Sequence, residues 1–539
     1  MSLEKSVATY PKKVVVIGGG HNGLVAAAYL ARAGHDVTIL ELGSQVGGAA
    51  STDTTTFPGY KISTASYLNS LFLAQIVKDL QLKRFGYEVL HRNPSSCTPL
   101  PDGRILLLGR DMSFNREQIA RFSKHDAEMY PRYEHELGEI ADWIAKMMTM
   151  VPPSGPWSLS KRDMKSLLKL MRHVLRLNPI QMVRLGKLIW TDPVKYLDSW
   201  FESDVLKATL LTDALVGSTK LSGYVLLHHV MGDADGTRGI WGYMRGGMGG
   251  ISHALTAACT ELGVKIVLNA EAEHIILTNN KEVAFVWTKV PAVEKLAPPH
   301  LFPADIVISA VNPAITFEKL LGHVKSLDNV RKKIQARNSE SASMKINLTL
   351  SGLPNFRAIP GITSGPQHQG TIHIAPTVEY ILEARCDYQK GTPSARPILE
   401  ITIPSVVDNT LAPDGCHVMN IFLQFFPYGN AEKEKYFRTV VLPLMREHIS
   451  NIDEIITGIQ ILTPQDLEQK FGMVGGNIFH GGMDLNQLWW NRPIAGMADY
   501  RVPMIHGLYL SGAGTHPGGG VCGASGFNTA GAVLEDIDS

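Results

Sequence analysis

The chain has 539 residues, too many for one hydrophobic core, so we expect two or three structural units. Apolar residues make up 45% and charged residues 19%, a balance that argues against extensive disorder. The formal net charge of +1 offers no electrostatic reason for nucleic-acid binding, and the five scattered cysteines lack the spacing of a redox pair or a metal site.

The first elements predicted along the chain form a β-α-β unit. Residues 13–17 are a β-branched run, typical of a strand that is buried on both faces. The glycine-rich stretch 18–23 leads into a small-residue helix over 24–31. Residues 36–41 predict a second strand, which ends in the carboxylate of Glu41. This order predicts parallel strands in an α/β fold.

The rest of the chain predicts a helical region and a second sheet. From about residue 115 to 235, Met, Leu and basic residues recur at three- and four-residue steps, which is typical of helices. A glycine-rich turn at 246–250 precedes one more helix. The strands predicted after this turn cover residues 264–269, 305–310, 344–350, 398–404, 418–426 and 508–511.

The turn after the first strand carries the pattern Gly18-x-Gly20-x-x-Gly23. The first glycine permits the tight turn, the second leaves room for a pyrophosphate, and the third lets the helix and strand pack closely. Amides at the start of the helix then bind the anion. Glu41, at the end of the second strand, is placed to accept hydrogen bonds from an adenosine ribose. A carboxylate there would repel a 2′-phosphate, which argues against NADP but leaves NAD and FAD open.

Two further small-residue segments extend this dinucleotide site. Gly47, Gly48 and Ala49 follow the acid and allow the chain to run alongside an extended ligand. The turn from Gly512 to Ala524 follows the last predicted strand and offers amides to a phosphate or to polar edges of a flavin. No second Gly-x-Gly-x-x-Gly follows a strand, so a separate nicotinamide domain is not supported.

The chain resembles the phytoene desaturase and carotenoid isomerase family. The resemblance is carried by G-G-G-H-N-G-L-V-A-A-A-Y-L-A with the following G-G-A-A, and by L-Y-L-S-G-A-G-T-H-P-G-G-G-V near the end. It implies an α/β fold with a discontinuous Rossmann-like FAD-binding domain, a β-sheet substrate domain and a helical cap. The FAD-binding residues that it implies are Gly18, Gly20, His21, Asn22, Gly23, Glu41, Gly47, Gly48, Ala49, Gly512, Ala513, Gly514, Gly523 and Ala524.

The resemblance also implies how the chain is divided. The FAD-binding domain would comprise residues 1–85, 236–312 and 494–539. The substrate domain would comprise residues 86–114 and 313–493, and the helical cap residues 115–235.

Two histidines are candidate catalytic residues. His516 lies within the turn expected at the flavin, where it would tune the electronics of the ring. The opposing interpretation, a histidine bonded to loop backbone, has equal weight. His480 is the second candidate, although a structural role is favoured for it. No metal ligand set is predicted.

The predicted activity is hydride transfer from, or isomerisation of, a hydrophobic unsaturated substrate, with oxygen or a quinone among the candidate electron acceptors. The alternative, implied by the resemblance, is a flavoprotein that acts mainly as an interaction or regulatory partner of respiratory, mitochondrial-type function. Amine oxidation is a disfavoured third hypothesis, because Ala513 stands where amine-oxidase-like relatives usually carry an acid.

The segment 161–190 bears on location. It holds many Lys and Arg among apolar residues, so it could lie on an anionic membrane and admit a lipophilic substrate. The favoured interpretation is a cap helix whose apolar stripe packs on the domain, split by Pro179. No signal peptide or presequence is visible, despite the resemblance to a mitochondrial protein, so we expect a cytoplasmic location, with peripheral membrane contact as an alternative. The oligomeric state is not predicted.

Overall fold

The computed structural model describes residues 10–155, 158, 160–217, 219–232, 239, 241–289 and 300–539. Its strands, in chain order, are β1 (Lys13–Ile17), β2 (Asp36–Leu40), β3 (Thr52–Asp53), β4 (Ile62–Ser63), β5 (Val89–His91), β6 (Ser96–Pro99), β7 (Ile105–Leu108), β8 (Gly242–Met244), β9 (Lys265–Val267), β10 (Glu271–Leu277), β11 (Val283–Lys289), β12 (His300–Pro303), β13 (Ile306–Ser309), β14 (Ser343–Leu350), β15 (Thr371–Ile374), β16 (Leu399–Thr402), β17 (His417–Gln424), β18 (Ile456–Leu462) and β19 (Leu508–Leu510).

Its α-helices are α1 (His21–Arg32), α2 (Ala74–Asp79), α3 (Met112–Ala120), α4 (Lys124–Met148), α5 (Lys161–Val174), α6 (Pro179–Trp190), α7 (Pro193–Asp198), α8 (Asp204–Thr212), α9 (Gly223–Val230), α10 (Gly249–Glu261), α11 (Asp328–Gln335), α12 (Pro366–Gln369), α13 (Val378–Gln389), α14 (Lys433–Tyr436), α15 (Leu442–His448), α16 (Ile452–Ile455), α17 (Pro464–Phe471) and α18 (Ala524–Ile537). None of the described helices is long and apolar enough to cross a membrane.

A five-stranded parallel sheet has the order β19-β13-β1-β2-β9. β1 is central, and helices cover both faces of the sheet: α1, α10 and α18 contribute to one core, and the elements after β13 contribute to the other. A strand that is buried on both faces is expected to be apolar, as β1 is apart from Lys13. This is the predicted Rossmann-like unit, and it is discontinuous, since its strands come from residues 13–40, 265–309 and 508–510. The carboxyl ends of parallel strands meet at one edge, where the turn after β1 and the turn after β19 come together.

A seven-stranded sheet, with the order β18-β14-β17-β16-β15-β6-β7, forms the second unit. Its central strands alternate between two buried faces. One face is apolar and packs, through residues such as Ile346, Ile401 and Ile421, into a core with the helices around α15. The other face carries mostly polar residues on the central strands, although these are buried, and meets the core of the cap region at β7 through Leu106 and Leu108. The expected second sheet is therefore present, with a face that is polar at its centre.

Helices α3 to α9 occupy the region predicted as the cap, and they contribute to a core rich in tyrosine and leucine that extends to β7 and α13. α5 ends at Val174 and Pro179 is the first residue of α6, as the sequence predicted. The expected packing of the apolar stripe is wrong: Leu168 and Met171 on α5 are exposed. The buried face of α5 is instead the face that carries Asp163 and His173, because these two residues hydrogen-bond to neighbouring backbone.

Candidate functional site

The start of α1 is built to receive an anion. Gly20 precedes the helix with extended backbone and makes no side-chain cap, and no described residue accepts a hydrogen bond from the backbone N–H of His21 or Asn22. A Cβ at Gly20 would meet no atom within 4 Å, whereas a Cβ at Gly23 would lie 2.1 Å from the carbonyl oxygen of Gly18. Gly23 therefore allows close packing of helix on strand, and Gly20 leaves space for a ligand.

Glu41 lies beside this turn, just after β2. Its Oε2 accepts a hydrogen bond from the backbone N–H of Gly19 at 2.7 Å, and its Oε1 accepts one from Gly43 at 2.8 Å. Each carboxylate oxygen has a second lone pair, which leaves acceptor capacity for two ribose hydroxyls. The carboxylate is thus held in place against the phosphate-binding turn.

A cavity of about 960 Å³ opens from this turn into the interior. It runs between the edge of the parallel sheet, the polar face of the seven-stranded sheet, and helices α4 and α8 of the cap region. The predicted residues that line it are Gly18, Gly20, His21, Asn22, Glu41, Gly48, Ala49, Gly512, Ala513 and His480. The bare backbone, the uncapped helix start and the oriented carboxylate fit a dinucleotide at one end of the cavity.

The other predicted cofactor residues lie behind this lining, where they shape its backbone. Gly23 packs α1 on β1; Gly47 lies against Ala50 and Ser252; a Cβ at Gly514 would lie 2.3 Å from Pro313. Gly523 precedes α18 with left-handed backbone, and Ala524 is its buried first residue. Two residues of the same C-terminal turn that were not singled out, Gly520 and Val521, do line the cavity.

The two candidate histidines have different surroundings. His516 is absent from the lining: its Nε2 lies 3.0 Å from the carbonyl oxygen of Met147, and its ring packs edge-on against Trp489. His480 lines the cavity, has left-handed backbone, and its buried Nδ1 has no hydrogen-bond partner among the described residues. Burial lowers the pKa of both rings to about 4, so both are neutral at pH 7.

A fully buried arginine supports the turn that holds Ala513. Arg492 donates hydrogen bonds to the backbone carbonyls of Ala513, Gly482, Gln487 and Phe479 at 2.5 to 3.2 Å. Burial lowers the pKa of Arg492 to about 9. A cation therefore sits behind the cavity wall at Ala513, held by carbonyl dipoles.

The polar sheet face contributes side chains that the sequence reasoning missed. Lys345, Phe422, Glu400 and His373 lie directly opposite one another on four neighbouring strands, and all four line the cavity. Lys345 is 1% exposed; it donates hydrogen bonds to the amide oxygens of Asn347 and Asn420, and burial lowers its pKa well below the usual range. The sequence did contain a signal for this polar face. Lys345 and Glu400 each lie between two apolar residues of a predicted strand, so their side chains must point to the face opposite the apolar one.

Glu400 is the most perturbed acid of this face. It is 4% exposed, and one of its oxygens accepts a hydrogen bond from the hydroxyl of Tyr67 at 3.2 Å. Burial, with a smaller contribution from the charge of Asp213, raises the pKa of Glu400 to about 8. Asp213 acts in the same direction on Glu134 of α4, whose pKa burial also raises. Three carboxyl groups from separate elements therefore line one part of the cavity.

Comparisons with known proteins agree with this arrangement. Residues 16–75 match the family model of an NAD(P)-binding Rossmann-like domain. The chain is 39% identical to pyridine nucleotide-disulfide oxidoreductase domain-containing protein 2 of Rattus norvegicus, over 97% of this chain and 93% of the rat protein. It is 27% identical to a lycopene-forming phytoene desaturase of Pseudescherichia vulneris, over 98% of this chain and all of that protein. A solved putrescine oxidase triple mutant has the same fold, with a TM-score of 0.61 at 16% identity, over 98% of this chain and 99% of that one.

Proposed function

We propose that the chain, which belongs to the family of pyridine nucleotide-disulfide oxidoreductase domain-containing protein 2, is an FAD-dependent oxidoreductase of the phytoene desaturase type. The observation that carries this proposal is the single cavity of about 960 Å³ that joins the dinucleotide-binding turn to the polar face of the substrate sheet. Disulfide chemistry is not part of the proposal, because all five cysteines are free and none is paired with another.

The residues that would hold FAD are those of the turn after β1 and of the turn after β19. The uncapped start of α1 would bind the pyrophosphate, Glu41 the ribose, and the backbone around Gly512 and Ala513 the flavin end. Bound FAD would supply the acceptor for a hydride from a carbon atom of the substrate. Its electrons would then pass to oxygen or a quinone.

The side chain proposed to move a proton is Glu400. Formation of a carbon–carbon double bond by hydride loss also releases a proton from the neighbouring carbon, and an isomerisation would return one. Glu400 is buried in the cavity wall, and among the described residues only Tyr67 donates a hydrogen bond to it, at one oxygen. A pKa raised to about 8 by burial leaves it able to hold or release a proton near neutral pH.

The substrate proposed is unsaturated and hydrophobic, with one polar end. Val216, Val225 and Phe479 pack together and give part of the cavity an apolar lining, whereas Lys345, Glu400 and their polar neighbours line another part. These buried groups bond to one another, but a pure hydrocarbon that displaced water would leave their remaining hydrogen-bonding capacity unused, at a cost of about 1–3 kcal/mol for each unsatisfied group. The arrangement favours a polyene or retinoid-like molecule that carries an oxygen function.

A second candidate is oxidation of an amine, which the three carboxyl groups Glu134, Asp213 and Glu400 favour. Carboxylates and the aromatic rings beside them, Tyr67 and Tyr130, are the groups that stabilise an ammonium ion. Ala513 still argues against it. A role limited to interaction with respiratory partners is less supported, because no observation among the described residues is specific to it.

The experiment is an anaerobic titration of the purified protein with its flavin, using three sets of ligands: hydrocarbon polyenes, oxygenated polyenes and retinoids, and amines. Loss of the flavin absorbance with the oxygenated set supports the first candidate, and loss with amines the second. Glu400→Gln should slow the reduction at least tenfold, whereas Glu379→Gln, an exposed glutamate on α13, should not change it. A protein without flavin would refute both candidates, and a flavin that no ligand reduces would favour the interaction role.

A further inference from the structure

The longest run of exposed apolar side chains in the described residues lies on α5 and α6. On α5 and at its end these are Met164, Leu167, Leu168, Met171 and Leu175; on α6 they are Ile180, Met182, Val183 and Trp190. Their exposed fractions range from 39% for Leu167 to 80% for Trp190. Other exposed large apolar residues are scattered along the chain, as on most protein surfaces. We call these nine residues the α5–α6 surface.

The apolar residues of α5 form one continuous stripe. Met164, Leu167, Leu168, Met171 and Leu175 follow one another at three- and four-residue steps, so they share one face of the helix. The opposite side of α5 is fixed to the protein. The ring of His173 stacks on Trp143 of α4 with centroids 4.7 Å apart, and Arg162 pairs with Asp536 of α18 at 2.6 Å. The helix therefore cannot turn its apolar stripe inward without losing these contacts.

A row of positive charge borders the stripe. Lys161, Lys169, Arg172 and Arg176 are exposed, and no ion pair joins them to another described residue. The segment 161–190 as a whole contains eight Lys and Arg residues against one acid, Asp163, in a chain whose net charge is only +1. An apolar stripe beside unpaired basic residues is the arrangement by which a helix lies in the interface of an anionic bilayer.

We propose that the α5–α6 surface binds an anionic lipid bilayer through α5, with the apolar stripe of this helix among the acyl chains and its basic row on the headgroups. A second copy of the chain is a poorer occupant, because a two-fold interface over this stripe would bring two basic rows together. The surface belongs to the same helical layer as α4, whose Tyr130 and Glu134 line the cavity. Binding would thus place the cap region, and with it the cavity, next to a source of lipophilic molecules.

The test measures co-sedimentation of the full-length protein, with its flavin, on vesicles of phosphatidylcholine alone and of phosphatidylcholine with phosphatidylserine. We expect binding to the second kind only, and weakening as salt is raised. The double variants Leu168→Gln/Met171→Gln and Lys169→Gln/Arg172→Gln should each bind on the order of tenfold more weakly. The matched controls are Ile362→Gln, whose side chain is 66% exposed, and Lys332→Gln/Lys333→Gln, an exposed pair on α11; both should bind like the unmodified protein.

Absence of binding to the anionic vesicles would overturn the proposal, and so would equal binding by the surface variants and the controls. Light scattering decides the remaining alternative: a dimer that Leu168→Gln/Met171→Gln converts to a monomer would assign the surface to a second copy of the chain. Flavin absorbance of each variant confirms that it is folded. No substrate is needed, so the outcome is independent of the proposed reaction.

Discussion

At Gly20 an added Cβ would meet no atom within 4 Å, whereas at Gly23 it would meet the carbonyl oxygen of Gly18 at 2.1 Å. The two glycines of one turn are therefore expected to fail in different ways. Gly20→Val should fold with an unchanged melting temperature as the apoprotein but should purify with little flavin, because the side chain fills the space left for the pyrophosphate. Gly23→Ala should lose about 1–3 kcal/mol of stability through overpacking. Flavin absorbance and thermal unfolding of the two apoproteins separate the effects; a Gly20→Val protein with full flavin would contradict the assigned site.

Glu400 makes a prediction about pH and stability. Burial raises its pKa to about 8, well above the ordinary value of a glutamate, about 4.3. Between these two values the folded protein binds a proton that the unfolded chain has released, so stability falls as the pH rises. Glu400→Gln removes the titrating group, and with it this loss of stability. The variant should therefore gain stability relative to the unmodified protein between about pH 5 and pH 8. Denaturant unfolding at both pH values measures the gain; an equal difference at the two would mean that Glu400 titrates normally.

At the scale of an element, neighbouring residues of β14 have side chains on opposite faces of the sheet. Lys345 lies on the polar face and lines the cavity, whereas Ile346 lies in the apolar core. Lys345→Met should leave flavin content unchanged and change stability little, because the gain from exchanging a buried amine for an apolar side chain of similar size is offset by the loss of the donor to the amide oxygens of Asn347 and Asn420. The rate at which substrate reduces the flavin should fall. Ile346→Val is the matched control: it should cost about 1 kcal/mol and leave reduction unchanged. Equal rates of flavin reduction in Lys345→Met and in the unmodified protein would mean that Lys345 is not part of the site.

At the scale of the molecule, the cavity joins parts of the chain that are far apart in sequence. Its lining includes Gly20 from the first glycine-rich turn, Ala272 from the middle of the chain and Ala513 from the last turn, together with residues of the seven-stranded sheet. FAD should therefore stabilise all units together. At a free concentration 100 times its dissociation constant we expect about 2.7 kcal/mol, seen as an upward shift of one unfolding transition. A shift in only part of the transition would mean that the units unfold independently.

The sequence by itself determined the dinucleotide unit. The strand before Gly18, the spacing to Gly20 and Gly23, and Glu41 at the end of the second strand are local patterns, and each has one physical interpretation in a β-α-β unit. The structure contains these elements within a few residues of the predicted limits, with α1 beginning at His21 and β2 ending at Leu40. The six predicted domain limits and the catalytic role of His516 stay predictions.

Only the tertiary structure decided which side chains line the cavity beside the polar face of the seven-stranded sheet, and which face of α5 meets solvent. Glu134, Asp213, Lys345 and Glu400 lie on a cap helix, the end of another and two strands, and nothing in their local sequence says that they share one cavity. Periodicity predicts that α5 has an apolar stripe but not what covers it, because the buried face depends on the contacts of Asp163 with the loop before α5 and of His173 with the backbone of α4. Local patterns specify elements, whereas the burial of a given side chain depends on contacts between elements far apart in the chain.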